Sequence, residues 1–149
     1  MSLAVEILGR VDEAAVPVKL PLAADAVRTG FPSPADDYLE RDLDLVEHLI
    51  PHPSATYYVR GKGDSMQGLG IYDNDLLIVD RSLEPRPGHV LIVSVDGEMT
   101  CKQLGRIGSR PYLLAANDAY PPIPLHGHDC EVWGVVTHNV HALVPGSSQ

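Results

Sequence analysis

Val90-Leu91-Ile92-Val93-Ser94-Val95-Asp96-Gly97-Glu98-Met99-Thr100-Cys101-Lys102 sets two β-rich runs, Val90 to Val95 and Met99 to Leu104, around a two-residue turn. Asp-Gly tolerates the positive φ values of a tight hairpin, so the stretch reads as two antiparallel strands. The same signature recurs on both sides, at Thr56 to Arg60, Asp75 to Asp80, Tyr112 to Ala115 and Val132 to Leu143. Asp73-Asn74-Asp75 reads as a further turn, with Asn74 able to take left-handed backbone. Upstream the period changes. Ser33 is a good N-cap, Pro34 suits the first helical position, and Asp36 and Asp37 complement the helix dipole. Leu39, Leu43, Val46 and Ile50 then recur at helical spacing, which predicts a helix from Pro34 to Ile50, stopped by Pro51 and Pro53. Thr29-Gly30-Phe31-Pro32-Ser33-Pro34 punctuates the chain strongly. Residues 1–29 read as an extended arm, because the apolar pieces Leu3 to Leu8 and Val16 to Leu22 are too short to enclose a core. The expected fold is mainly β, with short antiparallel strands, one short N-terminal helix and an arm in front.

Composition supports one domain and narrows its partners. The chain has 149 residues, 44% of them apolar and 21% charged, which is enough to bury a core without disulfides or metals. Thirteen Gly and thirteen Pro favour strands and turns over a helical bundle. With 11 Lys+Arg against 20 Asp+Glu the net charge is −9, the wrong sign for neutralising phosphates, so no direct DNA binding is expected. Cys101 and Cys130 make no disulfide framework and suit a reducing compartment. Glu6, Arg10, Asp12 and Glu13 interrupt the apolar residues of the N-terminus, and no run approaches transmembrane length. A cytoplasmic protein with no membrane contact is expected.

Three groups of residues carry chemistry. Gly63-Asp64-Ser65-Met66 sits between a strand and a loop containing Gly68 and Gly70. A serine nucleophile needs a turn that exposes its hydroxyl and aims N–H groups at an oxyanion, although a serine in such a loop is also an ordinary turn residue. Lys102 lies within an apolar strand of a chain that has only three lysines against eight arginines. A buried lysine can lose its proton and act as a base, which arginine cannot, while a surface lysine would merely snorkel. His126, His128 and Cys130, with Asp129, His138 and His141 further along, include types that bind zinc. Pro121, Pro122, Pro124 and Gly127 instead argue for a loop with solvated histidines, so no metal is expected. A Ser–His–Asp arrangement is available on composition, but no histidine is marked out by its neighbours.

Taken in order, the motifs Gly30-Phe31-Pro32-Ser33-Pro34-Ala35, His52-Pro53-Ser54-Ala55-Thr56-Tyr57, Gly63-Asp64-Ser65-Met66 and Asp75-Leu76-Leu77-Ile78-Val79-Asp80 form a pattern. It continues at Asp96-Gly97-Glu98-Met99-Thr100-Cys101-Lys102 and resumes at Trp133-Gly134-Val135-Val136. This series resembles the UmuD family of SOS mutagenesis proteins, within the LexA-like self-cleaving serine peptidases (peptidase S24), over roughly residues 20–143.

The resemblance implies a LexA/UmuD-like catalytic domain at residues 30–149 and a homodimer. It also implies an arm, residues 1–29, removed by self-cleavage. Carried over residue by residue, Ser65 would be the nucleophile, Lys102 the general base and Thr29–Gly30 the scissile bond. The partners implied are the RecA–single-stranded DNA filament, which stimulates cleavage, and a UmuC-like Y-family polymerase subunit, which the product joins for translesion synthesis. No cofactor is implied. Family members usually carry Ala or Cys before the cut, whereas Thr29 stands here, and its β-branched side chain is stiffer beside the attacked carbonyl. The alternative is therefore a cleavage-deficient dimeric binding partner of a polymerase or filament. A LexA-like repressor is disfavoured, since the 29 residues ahead of Gly30 are too few for a helix-turn-helix domain.

Overall fold

The turn at Asp96 and Gly97 forms as its sequence demands. Both residues take positive φ, 49° and 89°, and a hairpin twist of that hand matches the flanking strands. In the computed structural model, which describes residues 4–11, 19–23 and 39–144, the chain divides into two units, Met1–Val11 with His52–Gln149 and, separately, Asp12–Pro51.

The larger unit holds β1 (Ala4–Arg10), β4 (Thr56–Lys62), β5 (Leu76–Asp80), β6 (Val90–Val95), β7 (Glu98–Ile107), β8 (Arg110–Leu114), β9 (Ile123–Pro124) and β10 (Cys130–Val140). These strands form one eight-stranded sheet in the order β1-β4-β5-β10-β6-β7-β8-β9. All its pairings are antiparallel. One further bridge, Ala4 to Thr100, joins β1 to β7 and turns the first six strands of that order into a closed ring. A closed ring leaves few unpaired edges, which is how small β-domains suppress strand-to-strand association.

Leu91, Ile92 and Val93 are all fully buried although neighbours on a strand face opposite ways. Apolar layers on both faces of β6 explain this: Ile92 joins Val59, Met66, Ile71, Leu77, Val79 and Cys101, while Leu91 and Val93 join Leu113 and Val135. A strand covered on both sides needs a continuous apolar run rather than alternation. Asn74 takes the expected left-handed backbone, φ 71°. On β10 the register shifts between Val132 and Gly134 and again between Val136 and His138, and such bulges bend and twist the strand.

The smaller unit corrects the sequence reading. Residues Leu39–Asp44 form a strand, β3, paired antiparallel with β2 (Lys19–Ala23). Only Leu45–Leu49 is helical (α1), and residues 34–38 of the expected helix lie outside the described residues. Asp44 is the N-cap of this helix, its carboxylate accepting from the N–H groups of Val46 at 3.1 Å and Glu47 at 3.2 Å, and the expected cap Ser33 lies outside the described residues. Leu39, Leu43, Val46 and Ile50 satisfy helical spacing only because a strand and a helix abut. Leu39-Glu40-Arg41-Asp42-Leu43-Asp44 also places its two leucines four apart, which suits a period of two. The helix does end where Pro51 and Pro53 require. Among the described residues no helix is long and apolar enough to cross a membrane.

Candidate active site

Ser65 lies in the loop that leaves β4 and enters a 3₁₀ turn at Gln67–Leu69. Gly63 opens this loop at φ 110° and donates its N–H to the Asp73 carboxylate at 2.8 Å. Gly70 closes it in a left-handed conformation, donating to the Gln67 carbonyl at 2.9 Å. Ser65 is fully buried, with 0% of its surface exposed. Met66 beside it is anchored in the layer that holds Cys101, so the loop is tied down by an apolar plug one residue past the serine.

Lys102 lies on β7 opposite Leu91 of β6, and directly paired residues share a face. Only 1% of it is exposed, and it is the largest of the fully buried side chains. Burial disfavours the charged form and holds its amine below the usual lysine range. Next to it, burial pushes the Cys101 thiol up to about 12, so the cysteine stays an uncharged apolar neighbour. No described buried side-chain nitrogen or oxygen lacks a hydrogen-bond partner.

A second loop, residues 116–120, clamps the serine loop. The Gly68 N–H donates to the Ala116 carbonyl at 2.7 Å. A Cβ at Gly68 would lie 2.6 Å from that same oxygen, so only glycine allows the two backbones to meet. Asn117 donates its amide to the Asp64 carbonyl at 3.2 Å. The Tyr120 hydroxyl donates to the Asp64 carboxylate at 2.6 Å, and the Lys102 Nζ lies 5.5 Å from the centre of the Tyr120 ring. Tyr120 thus touches the residue preceding Ser65 with one end and faces Lys102 with its ring. Its hydroxyl is harder to ionise than an ordinary phenol, chiefly because it donates to Asp64.

Sequence reasoning missed Asn117 and Tyr120. The signal was slight: one aromatic in a Pro-rich loop of a chain with 5% aromatics. Thr29 and Gly30 lie outside the described residues. The histidine and cysteine group disperses, since His128 pairs with Asp96 at 2.8 Å while His126 packs edge-on against Tyr112. His138 contacts the Thr137 hydroxyl at 3.0 Å, and His141 pairs with buried Asp75. Among the described residues no three His, Cys, Asp or Glu side chains cluster to hold a metal.

The domain thus holds a serine on a Gly-bounded loop after β4 and a buried lysine amine, pushed below its ordinary range by burial, on β7. A serine hydroxyl can serve as a nucleophile and a neutral amine as a base, the two groups that hydrolysis of this type needs.

Residues 21–137 match the Peptidase S24-like family. Protein ImpA of Escherichia coli is 42% identical over 121 residues, covering 81% of this chain and 83% of its own length. Protein MucA of Escherichia coli is 39% identical over 123 residues, covering 81% of this chain and 84% of MucA. LexA repressor 1 of Pseudomonas syringae pv. tomato is 36% identical over 123 residues, covering 83% of this chain but 58% of the repressor. The chain therefore belongs to the peptidase S24-like family, the family of the UmuD- and LexA-like proteins that its sequence resembles.

Proposed function

We propose that this protein is a UmuD-like component of the SOS response that cuts its own Thr29–Gly30 bond, with Ser65 as nucleophile and Lys102 as general base. The observation that carries this reading is the burial of Lys102 in a peptidase S24-like chain, because only a desolvated lysine supplies a neutral amine near neutral pH. Neutral Nζ takes the Ser65 hydroxyl proton as Oγ bonds to the Thr29 carbonyl carbon. The resulting ammonium returns that proton to the Gly30 nitrogen as the C–N bond breaks. Water then hydrolyses the Thr29 ester on Ser65, and the free residues 1–29 end in a carboxylate. Cleavage within one chain or dimer draws on a high effective concentration, so the cleft need not bind free peptide well. The RecA–single-stranded DNA filament acts by raising the population in which the bond is docked. The shortened homodimer then serves a UmuC-like polymerase subunit in the cytoplasm.

Intact-mass spectrometry of the purified chain, alone and with RecA, nucleotide and single-stranded DNA, tests this beside Ser65→Ala. A product beginning at Gly30, formed by the parent chain and absent from the variant, is expected. An uncut chain in the presence of the filament would leave a dimeric binding partner, with Thr29 as the change that blocks cleavage.

A further inference from the structure

We infer that residues 4–10 stay seated as a strand on β4 after the chain is cut, so that scission yields a nicked complex and the β4 edge opens only when that strand leaves. The biological setting rests on the cleavage proposed above; the seating does not. Pairing runs along β4 from Ala4 opposite Lys62 to Arg10 opposite Tyr57. The Val11 N–H extends it by donating to the Thr56 carbonyl at 2.9 Å. Val5 packs against the layer that contains Met66 and Cys101, and Val11 is buried. Ala4 also bridges Thr100, two residues before Lys102. This strand is thus the stave that closes the ring beside the strand of the proposed base.

The division of the chain sharpens the point. Residues 1–11 group with 52–149, while the Thr29–Gly30 bond falls within 12–51. Cutting there severs the tether without breaking any hydrogen bond between β1 and β4. What is lost is the effective concentration a tether supplies, which is about millimolar for a short flexible link. The β2–β3 pairing also joins the two sides of the cut, and what remains on β4 is a strand of seven residues with an anchored valine at position 5. Its departure would leave the β4 backbone groups unpaired and open the seam at Thr100, the kind of edge that takes up another extended chain. Scission and exposure of that edge are therefore two steps.

The test leaves self-cleavage out. A recognition sequence for an added protease is inserted after Ala15 in the full chain, the chain is nicked, and native mass spectrometry and hydrogen exchange follow. The fragment carrying residues 4–10 is expected to remain bound one-to-one at micromolar concentration, with the protection of the β4 amides facing β1 unchanged. Val5→Asp in the same nicked chain is expected to shed the fragment and expose those β4 amides, while amides shared by β6 and β10 stay protected. Loss of the fragment from the parent chain on nicking would overturn the inference, as would equal retention by Val5→Asp. A chain that never cuts itself would contradict the peptidase reading and leave this result standing.

Discussion

Lys102, the proposed base, is fully buried, and burial biases its amine toward the neutral form. Lys102→Arg puts a permanent positive charge there and would remove the proposed base, since a guanidinium does not deprotonate in proteins. Scission by this variant, followed by intact mass, is expected to fall by at least about 100-fold, the usual worth of a positioned base. The lysine also makes stability depend on pH. Its folded pKa lies below the unfolded value, so between the two the unfolded chain binds more protons and stability rises with pH. A Lys102→Met chain should lack that rise when urea midpoints are compared across the alkaline range. Ser65 and Lys102 stood out in the sequence through the Gly-bounded loop and the scarcity of lysine. Tyr120 did not, because its contacts with Asp64 and Lys102 join residues 56 and 18 positions away, and no local pattern encodes them.

Elements show where local signals suffice and where they mislead. The hairpin at Asp96-Gly97 and the strands around it were legible because turn chemistry and apolar runs act over a few residues. Strand β3 was not, since the spacing of its two leucines suits helix and strand alike and its partner β2 lies far back in the chain. Asp44 ends that strand and caps α1, so Asp44→Ala should cost about 1 kcal/mol of local stability. Exchange of the Val46 and Glu47 amides would then quicken by about fivefold, which hydrogen exchange can read. At the serine loop, Gly68→Ala drives a Cβ into the Ala116 carbonyl. The backbone must move, so thermal unfolding should report a loss of about 1–3 kcal/mol together with slower scission.

At the scale of the whole molecule, the larger unit is a ring of strands held by an apolar layer on each side of β6. Its mainly β character was legible from composition and runs, but its closure was not, because the bridge from Ala4 to Thr100 spans most of the chain. Where β4 begins, His52 Nδ1 meets the Asp80 carboxylate at 2.6 Å, joining the entry of β4 to the end of β5. Burial works against the Asp80 charge, but hydrogen bonds from Ser82 and His52 outweigh it and hold the carboxyl below its ordinary value. A lowered folded pKa gives stability that is present above the unfolded value and lost as pH falls through the folded one. Asp80→Asn should therefore flatten the acid limb of the urea-midpoint profile.

The central claim, that a buried lysine activates Ser65 for cutting Thr29–Gly30, is tested most directly by the rate of scission against pH, followed by intact mass without added filament. The account predicts a rate that climbs about tenfold per pH unit as the amine deprotonates, then levels off below the pKa of an ordinary lysine, about 10.4. A rate flat across the alkaline range, or a product that does not begin at Gly30, would contradict it.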